Sequence, residues 1–318
     1  MCTNKRKIVL VGTGMVGMSF AYSALNRALC DELVLVDIDK KRAQGEAMDL
    51  NHGVAFASAR MRIYAGEYQD CSDADMVVIC AGVNQKPGES RLDLLKRNAA
   101  VFQSIIEPVV RSGFGGVFLV ATNPVDIMTR VTYELSGFNP NRVFGSGTTL
   151  DTARLRYLLG EYFSVDPRNM HAYVIGEHGD SEFVPWSQAM LATKSVADIC
   201  EQSQGKYRLE EMQRLSQEVR DAAQRIIEAK NATYYGIGMS LVRIARAVLS
   251  NESSVLTVSA QLRGEYGQRG VYAGVPCIVN GNGVDRVLEL RLNQEEQQKF
   301  QESCAVLEES YQGLELHS

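Results

Sequence analysis

The 318-residue chain has no apolar run approaching the about 18 residues that a membrane-spanning helix needs, and no signal-peptide pattern at its start. Its seven cysteines, Cys2, Cys30, Cys71, Cys80, Cys200, Cys277 and Cys304, contain no C-x-x-C pair. An odd, scattered set fits a reducing compartment better than a disulfide framework. The expectation is a cytoplasmic protein with no membrane partner. Positive charge is not in surplus either: the formal net charge is -5 and the isoelectric point near 5.6. The basic footprint of a nucleic-acid binder is therefore missing, and Lys5-Arg6-Lys7 and Lys40-Lys41-Arg42 read as solvated ends of a strand and a helix. There are four histidines, no two at the spacing of a metal-binding helix, so no metal is expected. Repeats, low-complexity tracts and linkers are lacking as well.

What is present begins with an apolar run, Ile8 to Val11, followed by GTGMVG (Gly12 to Gly17) and a helical stretch over Met18 to Leu29. A G-x-G-x-x-G pattern alone is weak, but here a strand precedes it and a helix follows. In that setting Gly12 permits the tight turn, Gly14 lets the backbone approach a pyrophosphate, and Gly17 allows the helix to pack on the strand. The helix N-terminus supplies an anion site. A second apolar run, Leu33 to Val36, ends in Asp37, 20 residues beyond Gly17. An acid there accepts from the ribose hydroxyls of NAD and repels the extra phosphate of NADP.

Met76 to Ala81 and Gly116 to Ala121 are short and almost wholly apolar, as central parallel strands are. Helical segments around Asp39 to His52 and Asp93 to Arg111 intervene. This alternation predicts an α/β fold, a Rossmann-type doubly wound parallel sheet over residues 1–146, with ligand at the carboxyl ends of its strands. Gly82 and Asn123 follow two of those strands, and Asn123-Pro124 is expected to be cis. Past about residue 147 the alternation breaks, so residues 147–318 form a mixed α+β substrate domain. It has helices over Thr148 to Phe163 and Leu209 to Ser250, the latter interrupted near Gly236 and Gly238. Shorter β pieces, such as Val255 to Leu262 and Cys277 to Asn280, follow between Gly-rich turns, and Leu292 to Leu314 closes the chain as a helix. The two halves are expected to pack intimately, with the site between them.

The second half carries LDTARLR (Leu150 to Arg156) and IGEHGD (Ile175 to Asp180). Asp151 and Arg154, three apart on a helix, share a face, while Arg156 points elsewhere. A carboxylate near His178 favours the imidazolium and fixes its tautomer. Arg154 offers a bidentate grip on a substrate carboxylate. Alone, this set reads equally well as a surface ion-pair cluster. After Gly82 comes a polar loop, VNQKPGESRLDLL (Val83 to Leu95), able to cover a bound cofactor, with Arg91 near its end to stabilise negative charge on a carbonyl as the loop excludes water.

GTGMVG, VDID, MDLNHG, NQKPGESRLDLL, TNPVD, GSGTTLDTARLR and IGEHGD, in this order and at these separations, strongly resemble the L-lactate dehydrogenase family of the lactate/malate dehydrogenases. The resemblance runs from about Lys7 to the C-terminal helix. It implies NADH-dependent reduction of pyruvate to L-lactate, with His178 as general acid, Asp151 as its ionic partner, Arg154 as carboxylate clamp and Arg91 as the carbonyl-polarising residue. Asn123 and Thr233 would line the substrate. Gly12, Gly14, Met15, Val16, Gly17, Asp37, Gly82, Asn98, Asn123, Ser146 and Ile237 would contact NAD. Gln85 occupies the loop position where malate-specific relatives carry arginine, which argues for pyruvate. The alternatives are a malate or broader L-2-hydroxyacid dehydrogenase, or a non-catalytic NAD-binding protein that kept the fold. Arg156 and His171 resemble the fructose 1,6-bisphosphate site of bacterial members, which implies effector binding across an interface. A homotetramer follows from the resemblance alone.

Overall fold

The computed structural model describes residues 5–83, 88 and 90–314, and of Arg91 the main chain only. Six parallel strands form the centre of the N-terminal half: β1 (Lys7–Val11), β2 (Glu32–Val36), β3 (Arg62–Ala65), β4 (Met76–Ile79), β5 (Val117–Val120) and β6 (Val143–Gly145). They lie in the order β3-β2-β1-β4-β5-β6. Strand order therefore reverses at the β1 and β4 pair, and the crevice beyond Val11 and Ile79 is where such a sheet takes its ligand. β1, β2, β4 and β5 are buried along their whole length, as strands covered on both faces must be.

Four helices connect these strands: α1 (Met15–Asn26), α2 (Lys40–Gly53), α3 (Arg91–Arg111) and α4 (Val125–Ser136). α1 begins three residues before the expected Met18, because the glycine turn runs directly into it, and it stops at Asn26, just before Ala28 takes a positive φ. α3 begins at Arg91 rather than Asp93, since Ser90 caps it by accepting from Asp93 N.

The C-terminal half opens with α5 (Thr149–Phe163) and a small antiparallel sheet of β7 (Met170–His171), β8 (Met190–Leu191) and β9 (Lys194–Ser195). Then come α6 (Val196–Gln202), α7 (Glu210–Lys230), α8 (Tyr235–Leu249), β10 (Ser254–Arg263), β11 (Arg269–Asn280), β12 (Gly283–Val287) and α9 (Gln294–Gln312). β10, β11 and β12 form an antiparallel meander, and Ser259 in β10 pairs with Gly145 in β6. The large sheet thus runs unbroken from one half into the other, nine strands wide among the described residues. One apolar core follows it, and a second, smaller one sits between α5 and α7 around Leu155, Leu159, Leu215 and Val219.

The helical region expected over Leu209 to Ser250 does break, but not at its glycines. Asn231 ends α7 in the left-handed conformation, φ 67, which asparagine tolerates better than most residues. Gly236 and Gly238 lie inside α8 and serve close approach instead. A Cβ on Gly238 would stand 2.8 Å from the Ser19 main-chain carbon of α1, and one on Gly236 2.9 Å from the Leu150 side chain of α5. The start of α8 is thereby wedged between the cofactor-side helix and the helix that carries Asp151. Among the described residues no helix is long and apolar enough to cross a membrane.

Candidate active site

Three consecutive main-chain N–H groups hold the IGEHGD segment in place. Gly176 N donates to Gly274 O at 2.9 Å, Glu177 N to Ser303 Oγ at 2.7 Å, and His178 N to Asp126 Oδ2 at 2.8 Å. So held, His178 presents Nδ1 to Asp151 Oδ2 at 2.6 Å, and the other oxygen of the same carboxylate accepts from Arg154 Nη1 at 2.8 Å. Helical spacing accounts for the second contact: Asp151 and Arg154 are an i,i+3 pair on α5. The two cations thus share one buried anion. Asp151 is 2% exposed, whereas the side chains of Arg154 and His178 keep 13% and 24% of their surface, which rules out the surface-cluster reading and leaves both able to meet a small ligand.

Electrostatics follow from that arrangement. Burial works against the charged imidazole, but the Asp151 charge and its hydrogen bond outweigh it and raise the His178 pKa to about 9. For Asp151, burial works against ionisation, while the charges and hydrogen bonds of His178 and Arg154 hold its carboxyl below the ordinary carboxylate range. A further acid stands in the same cluster. The ligand-type atoms of Glu182, Asp151 and His178 lie within 4.8 Å of one another, and Glu182 is 5% exposed. Its burial, followed by the charge of Asp151, pushes its pKa up far enough to keep it protonated near neutrality. The expected absence of metal rested on histidine spacing. In this trio His178 Nδ1 and the two Asp151 oxygens are engaged with each other and with Arg154.

The expected cofactor residues gather at the other side of the crevice. Gly12 has φ +99, and a Cβ on it would stand 2.5 Å from Ala81 N; one on Gly17 would meet Gly12 O at 2.0 Å. Around Gly14, by contrast, a Cβ would find nothing within 4 Å. As N-cap of α1 Gly14 brings no side-chain hydrogen bond, so the first N–H groups of the helix are left for an anion. Met15 is exposed and Val16 half-buried on the first turn. Asp37 is also engaged locally: its Oδ2 accepts from Thr13 N at 2.6 Å and Thr13 Oγ1 at 2.8 Å, and its Oδ1 accepts from Asp39 N. Partial burial raises its pKa, and those hydrogen bonds overcome it to hold the carboxyl below its usual value. The turn and the acid at the end of β2 are thus tied together through Thr13, which sequence reading passed over. A glycine cradle, an open helix N-terminus and an ionised acid beside it fit a dinucleotide.

Asn98 is buried and accepts from Val83 N at 2.9 Å, so it holds the start of the polar loop. Gly82 packs against Thr122, where a Cβ would stand 2.6 Å from Cγ2. Asn123 is exposed after β5, its bond to Pro124 cis; Ser146 is buried after β6; Thr233 and Ile237 are half-buried at and just inside the start of α8. Gln85 and the Arg91 side chain lie outside the described residues. Arg156 points away from Asp151: its Nε donates to Ala172 O at 3.1 Å and its guanidinium lies 5.0 Å from the Tyr173 ring centre. His171, next to Ala172, is exposed.

Comparison with known proteins agrees with this geometry along the chain. The family description "lactate/malate dehydrogenase, NAD binding domain" matches residues 6–145, and "lactate/malate dehydrogenase, alpha/beta C-terminal domain" matches residues 148–315. An L-lactate dehydrogenase of Geobacillus sp. (strain WCH70) is 54% identical over 308 residues, 97% of this chain and 96% of the relative. The crystal structure of a minor L-lactate dehydrogenase from Enterococcus mundtii in its ligands-bound form superposes with a TM-score of 0.97 at 44% identity, covering 99% of this chain and 100% of that one. A lactate dehydrogenase enzyme from a Medee basin deep-sea metagenome library gives 0.95 at 49% identity over 97% of this chain and 98% of its own. With both halves matched and the relatives covered nearly end to end, the chain belongs to the lactate/malate dehydrogenase family.

Proposed function

We propose that this chain is an L-lactate dehydrogenase, reducing pyruvate to L-lactate with NADH and running in reverse with NAD. The observation that carries the reading is the single buried Asp151 carboxylate, which charges His178 on one oxygen and orients Arg154 on the other. Gly12, Gly14, Gly17 and Asp37 would hold the dinucleotide, which when bound supplies the hydride for the carbonyl carbon. With Nδ1 tied to Asp151, His178 keeps Nε2 for the substrate and donates its proton to the carbonyl oxygen. Arg154 has spent Nη1 on Asp151, and the rest of its N–H fork is available to a substrate carboxylate. Arg91 would oppose the charge that grows on the carbonyl oxygen. Residues 1–146 would form the cofactor domain and 147–318 the substrate domain. A homotetrameric, cytoplasmic enzyme is the corresponding reading of assembly and compartment.

The test is oxidation of NADH with pyruvate, oxaloacetate or a branched 2-oxo acid as acceptor. Pyruvate is expected to be the best of the three; no turnover with any of them would remove the enzymatic reading, and preference for oxaloacetate would favour a malate dehydrogenase. In the same assay Arg154→Lys is expected to raise KM for pyruvate by at least tenfold, roughly the 1.4 kcal/mol that losing the two-pronged grip costs, with KM for NADH little changed.

We further infer an effector site for fructose 1,6-bisphosphate at Arg156 and His171. Arg156 is held to the main chain of Ala172, the residue after His171, and lines a cavity of about 400 Å³ together with Tyr173 and Arg243. Activation is expected as a fall in KM for pyruvate on adding the bisphosphate. A rate that stays flat at sub-saturating pyruvate would dismiss it.

A further inference from the structure

Asp126, the second residue of α4, is 2% exposed and carries a carboxylate whose two oxygens each serve a different donor, whereas an amide would offer one acceptor oxygen and a nitrogen that only donates. Its Oδ2 accepts from His178 N at 2.8 Å and its Oδ1 from Ser259 Oγ at 2.5 Å, Ser259 being fully buried on β10. Among the described residues it makes no ion pair with lysine or arginine. The polar and titratable groups that face it are Ser259 from β10, His178 and Glu177 from the segment after β7, and Cys304 from α9. Of these, the positive charge is the His178 imidazolium. An anion placed behind the main chain of the residue it serves both anchors that residue and adds to the field that keeps it protonated.

We propose that Asp126 is a positioning residue. Ionised, it holds the His178 N–H and supports the imidazolium. Protonated, it loses the charge that supports the imidazolium and weakens its hold on the N–H, so that Asp126 and Ser259 set the acid limit of pyruvate reduction. The inference rests on reading His178 as the proton donor. A donor is fully active when protonated, so titration of His178 limits the reaction at the alkaline end and cannot limit it at the acid end. Asp151 does not account for an acid limit above the ordinary carboxylate range, since its partners depress its pKa. Asp126 is shifted the other way: burial, opposed by the Ser259 and His178 hydrogen bonds and the His178 charge, raises it to about 6.

The experiment is kcat and kcat/KM for pyruvate from pH 4.5 to 9 at saturating NADH, on the full chain and on Ser259→Ala and Asp126→Asn, with NADH binding by fluorescence as the check on folding. The full chain is expected to show an acid limb near pH 6. Ser259→Ala, which removes a donor to the charged form, is expected to move that limb up by about one unit. Asp126→Asn is expected to lose at least tenfold in kcat at pH 7, and its remaining rate to stop responding to acid between pH 7 and 5. If Asp126→Asn does not fold, the Ser259→Ala limb decides. A Ser259→Ala limb superimposed on the parent's, or a parent-like limb in Asp126→Asn, would overturn the proposal while leaving the pyruvate activity standing. Absence of turnover in the parent chain would instead defeat the reading on which it rests.

Discussion

His178→Asn is expected to lower kcat for pyruvate reduction by about 10²- to 10⁴-fold, the range for losing a positioned acid, while NADH still binds, because the glycine turn and Asp37 lie on separate elements. Stopped-flow turnover and fluorescence titration check the two halves of this statement; unchanged turnover would strike His178 from the mechanism. The pH dependence follows from the same geometry. With the His178 pKa raised to about 9, kcat/KM for pyruvate is expected to hold level from above the acid limb up to that region and then to fall about tenfold per unit. Lactate oxidation needs the neutral imidazole and is expected to rise across the same interval. Asp151→Asn removes the anion but not the burial, so the alkaline limb is expected to shift downward by more than a unit. Stability has the matching sign. The folded His178 pKa lies above its unfolded value of about 6.5, so the ion pair's contribution is complete below that pH and disappears as pH rises through about 9.

Of the residues behind these expectations, the sequence displays the closeness of Asp151 and Arg154 but not that of Asp151 and His178, 27 positions apart. Asp151 and Arg154 are one helical turn apart, so their shared face follows from periodicity, and the order of glycine turn, apolar runs and Asp37 carries the cofactor half of the fold. The contacts that complete the site join distant segments. Asp126 meets His178 52 positions away and Ser259 133 positions away, and no local pattern signals either meeting. Asp126 even stands inside the TNPVD motif, whose Asn123-Pro124 bond is the more conspicuous feature. Glu182, four residues past His178, reads as an ordinary loop acid until the fold buries it beside Asp151. The break after α7 differs from the glycine-based expectation for a related reason: glycine suggests interruption when only the local chain is considered, yet Gly236 and Gly238 are required by the neighbours α8 packs against, Leu150 and Ser19.

Gln85→Arg is expected to turn the enzyme from pyruvate toward oxaloacetate. The two substrates differ by a second carboxylate at the end remote from Arg154. If Arg154 takes the carboxylate that both share and residue 85 holds the discriminating place that the resemblance implies, the extra one meets residue 85. Beside a neutral amide that carboxylate has no counter-charge, and an uncompensated buried charge costs roughly 3 to 5 kcal/mol. At roughly 1.4 kcal/mol per decade this is about two to three and a half decades of selectivity. Arginine at position 85 supplies a fork that a carboxylate can accept from twice, so the same interval is expected to be recovered in kcat/KM for oxaloacetate. Pyruvate, which leaves the new guanidinium unpaired, is expected to lose part of its rate. Lys86, the next residue in the sequence, offers a control: Lys86→Ala is expected to leave the parent's preference within a few-fold, as for a lysine whose charge is met by solvent. The measurement is the ratio of kcat/KM for the two acids, at fixed ionic strength because salt screens exposed charges. A ratio equal in the parent and in Gln85→Arg would refute the assignment of position 85. A ratio that collapses in Lys86→Ala would move the discriminating role one residue along the same loop.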